Sequence, residues 1–259
     1  MPELPEVETI KKDLEKLIVG KKILKIDPES AEAAVGAKIV KVGRRAKLIE
    51  IFLDNGGILL FHLKLTGRLL VRKNSQEKDN WQRITIFLSG GTELRFSDAR
   101  KFGWMKFIKN KKELEKMLEK FGPEANTISP TDFKQMLSTS RRPVKVVLMD
   151  QAKIAGIGNI YAAEALHLAK ISPKRSANSI SPDEKEKLLS SIKKVLKAGI
   201  KYRGASDQYY LDALGKKGYY QEHFLVYNRA GKKCPECGGV IKKIVLAGRG
   251  TYYCPICQV

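Results

Sequence analysis

The sequence predicts an α+β protein in two parts, a β-rich N-terminal domain and a helical C-terminal domain with a small metal module. Three observations predict it. Short apolar runs joined by glycine-rich turns fill the chain to about residue 108, and helical periodicity dominates from Asp132 to about Tyr202. All four cysteines fall in the last 26 residues.

The elements follow in order. Val7, Ile10, Leu14 and Leu17 recur at helical spacing, with Pro5 suited to a first turn and Gly20 to an end. Leu48 to Leu53 and Ile58 to Leu63 flank Asn55-Gly56-Gly57 as a hairpin, and Ile84 to Leu88 with Glu93 to Phe96 flank Ser89-Gly90-Gly91 as another. Trp104 to Ile108 adds a strand, so a sandwich or a barrel is expected. Lys111 to Phe121 reads as a helix ended by Gly122-Pro123. Further helices are expected over Val144 to Ala152, Ile160 to Leu168 and Pro182 to Ile200, the last capped by Ser181. The expected divisions are 1–121 for the β-rich domain and its helix, 122–131 for a connection, 132–229 for the helical domain and 230–259 for the four-cysteine finger.

Charge narrows the partner. Lys and Arg number 49 against 28 Asp and Glu, a formal +21. A lysine-rich solvated surface normally carries nearly as much glutamate, so the surplus fits a polyanion better. Charge alone does not separate DNA from RNA or the ribosome. No apolar run approaches the roughly 20 residues of a membrane span, and the acidic start MPELPEVETI lacks a basic-then-apolar leader layout. A cytosolic chain is expected.

Cys234-Pro-Glu-Cys237 and Cys254-Pro-Ile-Cys257 each put two thiolates on one ion. Four protein ligands close a tetrahedral zinc site and leave no position for substrate, so one structural zinc is expected. Between the pairs, Ile241 to Leu246 and Thr251 to Tyr253 read as strands around Ala247-Gly248-Arg249-Gly250. Arg249 there is either a solvated turn residue or a contact to phosphate or base. Gly156-Ile157-Gly158-Asn159, with Arg141, Arg142, Lys145 and Lys153 nearby, is either a plain helix connection or a phosphate cradle at a helix start.

At residue 2, proline becomes a chain-terminal secondary amine once Met1 is removed. An α-amine titrates near pH ~8, so a useful fraction is nucleophilic at neutral pH. Glu3 and Glu6 stand close enough in sequence to move protons for it, or else simply favour a helix start.

PELPEVET at 2–9, RRAK at 44–47, HLKLTG at 62–67, D-x-R-K-F-G at 98–103, GIGNIYAAE at 156–164 and the terminal finger occur in this order. Together they resemble bacterial formamidopyrimidine-DNA glycosylases over essentially the whole chain. The resemblance implies an N-terminal β-sandwich, a helix–two-turn–helix domain with a β-hairpin zinc finger, and a monomer acting on damaged double-stranded DNA. It implies excision of oxidised purines such as 8-oxoguanine and formamidopyrimidines, followed by β- and δ-elimination. Pro2 is then the nucleophile and Glu3 the general acid/base. Glu6 supports the site, Lys47 assists the lyase steps, and Arg249 grips phosphate. His62, Lys145, Asn159, Tyr161 and Tyr227 match positions near DNA phosphate, while Leu65, Arg100 and Phe102 match residues that fill the gap left by a flipped base.

The chain departs from the family pattern at several points. Leu65 stands for a methionine wedge, Lys64 for a glycine and Lys101 for an arginine, and Arg83 falls where relatives often have histidine. The 202–218 stretch, where the family places a loop over the flipped base, has no matching pattern. Two alternatives stand beside the main expectation: the sister endonuclease VIII family acting on oxidised pyrimidines, and a non-catalytic zinc protein that binds damaged DNA. Leu4 favours the first family, because the sister family typically has glycine there. A zinc-bearing RNA-binding protein is a more remote alternative.

Overall fold

A computed structural model describes residues 1–207 and 209–259; Gln208, inside the expected 202–218 loop, lies outside the described residues. The chain divides into two compact units: Met1–Glu119 with Ile200–Gln221, and Lys120–Gly199 with Glu222–Val259. This division differs from the expected helical domain over 132–229 in that residues 200–221 cluster with the first unit.

In the first unit, helix α1 (Leu4–Ile18) buries Leu4, Val7, Ile10, Leu14 and Ile18 on one face. Behind it lie two four-stranded sheets. One has the order β1 (Ile23–Asp27), β6 (Gln82–Leu88), β7 (Thr92–Asp98), β5 (Gly67–Lys73), and the other β2 (Ile39–Arg45), β3 (Leu48–Leu53), β4 (Ile58–His62), β8 (Trp104–Ile108). Every pairing is antiparallel. Alternate residues of both sheets, with the buried face of α1, form one core. Phe61 of β4 meets Phe96 of β7 edge to face at 5.9 Å between ring centroids. The open choice between sandwich and barrel thus falls to a sandwich. A short helix α2 (Lys111–Leu118) follows, capped by the Asn110 side chain and ending before the expected Phe121.

Polar anchoring explains why residues 200–221 join this unit. Arg203 Nη2 donates to Asp13 on α1 at 2.6 Å and to Asp212 at 2.5 Å, and the Asp212 side chain is fully buried. Ala205 N–H donates to the Glu6 carboxylate at 2.7 Å. Val71 N–H of β5 donates to the Ala213 carbonyl at 2.8 Å. Gly204 has φ +84°, and a β-carbon there would lie 2.8 Å from the Glu6 side chain, so only glycine fits.

The second unit holds α3 (Pro130–Ser138), α4 (Val144–Leu148), α5 (Asn159–Leu168) and most of α6 (Pro182–Lys201). Ser181 and Glu184 form a reciprocal cap at the start of α6, Glu184 N–H donating to Ser181 Oγ and Ser181 N–H to the Glu184 carboxylate. The helix expected over Val144–Ala152 stops at Leu148. Beyond it Asp150 and Gln151 bond backbone amides of the following turn instead. Strands β9 (Lys242–Leu246) and β10 (Arg249–Tyr253) form the terminal hairpin. Among the described residues no helix is long and apolar enough to cross a membrane.

Arg203→Ala removes the donor that neutralises buried Asp212 and is expected to destabilise the protein by about 1.5–3 kcal/mol. Urea unfolding reads the loss, and limited proteolysis should cut first within 200–221.

Candidate nucleic-acid interface and metal centre

Helix α1 begins at the chain end that the sequence marks as reactive. Glu3 is its N-cap residue; Glu3 N–H donates to Glu6 Oε2 at 2.8 Å while the Glu3 side chain accepts from the Glu6 backbone. Both glutamates are almost fully buried, at 2% and 1% exposure. Glu6 spends its other oxygen on Ala205 N–H. Glu6 is therefore a structural bridge, and Glu3 is the carboxylate adjoining Pro2. Pro2 itself is buried while Met1 is exposed. The Pro2 nitrogen here belongs to the Met1–Pro2 amide and stands for the amine that removal of Met1 releases.

Lys47 lies in the two-residue turn of the β2–β3 hairpin, whose last pair is Arg45 with Leu48. Ala46 takes the left-handed conformation the turn requires, φ 55°. Arg44 locks this turn: its Nη1 donates to the Ala46 carbonyl at 2.9 Å and its Nε to Glu8 of α1 at 2.8 Å. Arg44 thereby ties the Lys47 turn to the helix that carries Glu3. In the sequence Arg44 stands within RRAK with nothing local to mark this role.

A second cluster in the same unit joins the HLKLTG and DARKFG segments. Leu63 to Gly67 closes as a single turn, Gly67 N–H donating to the Leu63 carbonyl at 2.9 Å, with half-buried Leu65 within it. The buried Asp98 carboxylate accepts from Thr66 Oγ1, from Arg100 N–H at 3.2 Å and from Gly103 N–H at 2.6 Å. These bonds leave Arg100 and Phe102 exposed side by side, the guanidinium carbon 5.0 Å from the ring centroid. Arg83, unassigned from sequence, donates to the Gly103 carbonyl at 2.9 Å and braces the same loop. His62 accepts from Lys64 N–H through Nδ1 at 3.0 Å, so Nε2 carries its proton.

In the second unit, Gly158 rather than Asn159 is the N-cap of α5. The Asn159 side chain accepts from Lys145 Nζ at 2.7 Å and donates to the Gly250 carbonyl at 3.0 Å. Lys145 is 1% exposed and also donates to Thr251 Oγ1 at 2.8 Å. These two expected phosphate contacts thus fasten the terminal hairpin to α4 and α5. Tyr161 is buried against Gly199, so its ring belongs to the core and only its backbone lies in the first turn of α5. Tyr227 is half-buried, edge-on to Tyr252 at 5.2 Å. Glu164, missed by sequence reasoning, accepts three backbone N–H groups from Leu225, Val226 and Tyr227 at 2.8–3.0 Å. Burial pushes its carboxyl above the usual range, and these three donors oppose the shift.

The hairpin turn is Ala247-Gly248, both left-handed at φ 47° and 73°. Arg249 is not at the tip, as expected, but opens β10 paired with Leu246. Its exposed guanidinium shares a cleft of about 190 Å³ with Arg142 and Lys145. At the hairpin base the four cysteine sulfurs lie within 4.8 Å of one another, with Sγ···Sγ of 3.8 Å for Cys234–Cys257 and 3.5 Å for Cys237–Cys254. A tetrahedral zinc thiolate site has edges of about 3.8 Å, so the donor set fits. Without a cation, burial and the three neighbouring thiols push the Cys257 thiol well above its ordinary range, and zinc relieves that crowding. The four sulfurs hold one structural zinc.

The chain matches the formamidopyrimidine-DNA glycosylase N-terminal domain over residues 1–105, the H2TH domain of the same enzymes over 121–210, and the zinc finger found in FPG and IleRS over 231–259. It belongs to the formamidopyrimidine-DNA glycosylase family. The formamidopyrimidine-DNA glycosylase of Herpetosiphon aurantiacus is 41% identical, with both chains covered completely, and that of Carboxydothermus hydrogenoformans 40% with the same coverage. Among solved structures, Lactococcus lactis Fpg in complex with abasic-site DNA superposes with TM-score 0.91 at 34% identity, covering 99% of each chain. A MutM complex with DNA containing carbocyclic 8-oxo-G gives the same values. This family carries glycosylase and lyase activity on one chain.

Two outcomes check these assignments. Asp98→Ala strips Thr66, Arg100 and Gly103 of their shared acceptor and is expected to destabilise the protein by roughly 3 kcal/mol, read as a drop in Tm. Cys254→Ser is expected to release zinc to a chelator at concentrations the parent withstands and to weaken duplex binding, checked by metal analysis and a binding titration.

Proposed function

We propose that the chain is a monomeric bifunctional DNA glycosylase and abasic-site lyase that excises oxidised purines, 8-oxoguanine and formamidopyrimidines, from duplex DNA in the bacterial cytosol. The observation that carries this reading is the α1 terminus. Pro2, whose nitrogen becomes a secondary amine once Met1 is removed, adjoins Glu3, which the Glu6 bond holds at the N-cap.

In this reading the Pro2 amine, freed of Met1, attacks C1′ of the damaged nucleotide. The C1′–N bond to the enzyme forms and the glycosidic bond breaks, the base leaving with a proton. Glu3 protonates the sugar ring oxygen so that the ring opens. The resulting iminium is cationic whatever the pH, because a proline nitrogen keeps no proton to lose. It draws electrons as the C2′ proton leaves and the C3′–O bond breaks, and a second elimination breaks the C5′–O bond. Water then releases the sugar fragment and regenerates the amine. Lys47 and Arg249 neutralise the phosphates expelled in these steps. Leu65, Arg100 and Phe102 fill the vacated stack, Arg100 meeting the orphaned partner base. His62, Asn159 and the first turn of α5 receive phosphate, with Lys145 and Tyr227 holding the surface that does so.

Borohydride decides the chemistry. Mature protein beginning at Pro2 is expected to form a stable covalent adduct with an 8-oxoguanine duplex, whereas protein retaining Met1 forms none; absence of the adduct with the mature chain refutes the nucleophile. Arg249→Ala is expected to weaken DNA binding or elimination with zinc content unchanged. Preference for thymine glycol over 8-oxoguanine would move the lesion class to oxidised pyrimidines.

A further inference from the structure

Helix α5 reaches the metal module at a residue that the catalytic reading does not use. His167 is 1% exposed, and its Nε2 lies 3.3 Å from Cys234 Sγ. Its Nδ1 is buried with no hydrogen-bond partner among the described residues, the natural place for the ring's lone pair. The ring proton therefore sits on Nε2 and points at the sulfur. Cys234 is itself buried, and around it pack Ala163 of α5, Val226 and Ile241. A zinc ion held by four thiolates keeps a net charge of −2, and in so apolar a setting each N–H directed at a sulfur offsets part of it. Backbone supplies one such donor, Cys257 N–H to Cys254 Sγ at 3.5 Å. For Cys234 the donor is a side chain from a different element.

We propose that His167 is a positioning residue of the zinc centre: its Nε2–H donates to the Cys234 thiolate and makes α5 part of the metal's surroundings. The consequence reaches the hairpin. α5 then holds it twice, at Gly250 through Asn159 and at Cys234 through His167. The two holding points are eight residues apart, about 12 Å along the helix axis. Zinc loading thereby fixes the angle at which β10 presents Arg249, because the base of the hairpin is tied to the helix that also grips its far end. This inference concerns the metal centre alone and stands or falls independently of the glycosylase chemistry.

The test uses full-length protein loaded with ¹¹³Cd, which takes the same four thiolates. A scalar coupling between ¹¹³Cd and His167 Hε2 is expected across the hydrogen bond, and its absence in the well-resolved spectrum of the parent overturns the proposal. Zinc competition against a chromogenic chelator gives the energetic reading. His167→Phe, which fills the volume without a donor, is expected to lose about tenfold or more in zinc affinity. His167→Gln, which keeps an N–H, is expected to recover part of that loss. Equal zinc affinity in parent and His167→Phe overturns the proposal, as does equal loss in both variants. If both variants fail to fold, the coupling in the parent decides alone.

Discussion

The Glu6 carboxylate is the constraint on which the start of α1 depends. One oxygen takes the backbone N–H of Glu3 and the other that of Ala205, a residue 199 positions away. The first bond sets the N-cap geometry that places Glu3 next to the chain terminus; the second draws the 200–221 segment onto α1. Tyr210 closes over the same spot, its hydroxyl pushed well above the ordinary range by burial and by the Glu6 and Asp212 charges, so it stays a protonated group. A buried carboxylate with both oxygens satisfied is rigid, since any movement leaves an uncompensated charge. That rigidity gives a two-residue chain end a fixed position, which a free terminus does not ordinarily have.

A similar economy governs the loops. Asp98 gathers donors from Thr66, Arg100 and Gly103, and Arg83 braces the Gly103 carbonyl from the other side. Exposed Arg100 and Phe102 are thus carried on a loop whose backbone is bonded from within. The departures Lys64 and Lys101 fall inside this framework on left-handed backbone, φ 53° and 58°. In the second unit Lys145, Asn159 and Glu164 do the equivalent work, each anchoring a neighbouring segment through backbone or hydroxyl groups.

Much of this was legible in the sequence because apolar period and turn chemistry are local. α1, the β3–β4 and β6–β7 hairpins, β8, α5 and α6 emerged from spacing alone, and paired C-x-x-C motifs announce a zinc site whatever surrounds them. The parts that escaped depend on partners distant in sequence. Nothing in 202–218 states that its amides answer to Glu6 or that Arg203 answers to Asp13. Lys145 reads as a surface cation until three acceptors from elsewhere surround it. Arg249 lies in the strand because left-handed Ala247 and Gly248 close the hairpin in two residues, where the sequence suggested four. Ordered motifs carried the family resemblance, and with it the catalytic assignments; local physical chemistry supplied only the possibility of a reactive Pro2.

The return of residues 200–221 to the first unit has a consequence in time. A chain emerging from the ribosome normally completes its N-terminal unit first. Here that unit lacks a segment until residue 221 has been made, and the intervening 120–199 belongs to the second unit. The bond between Ala205 and Glu6 closes a loop of nearly two hundred residues, the kind of long-range pairing that forms slowly. Helix α1 is therefore synthesised first and, within this unit, the segment bonded to its first turn last. A nascent chain released before residue 205 holds α1 without the bond from Ala205 to Glu6.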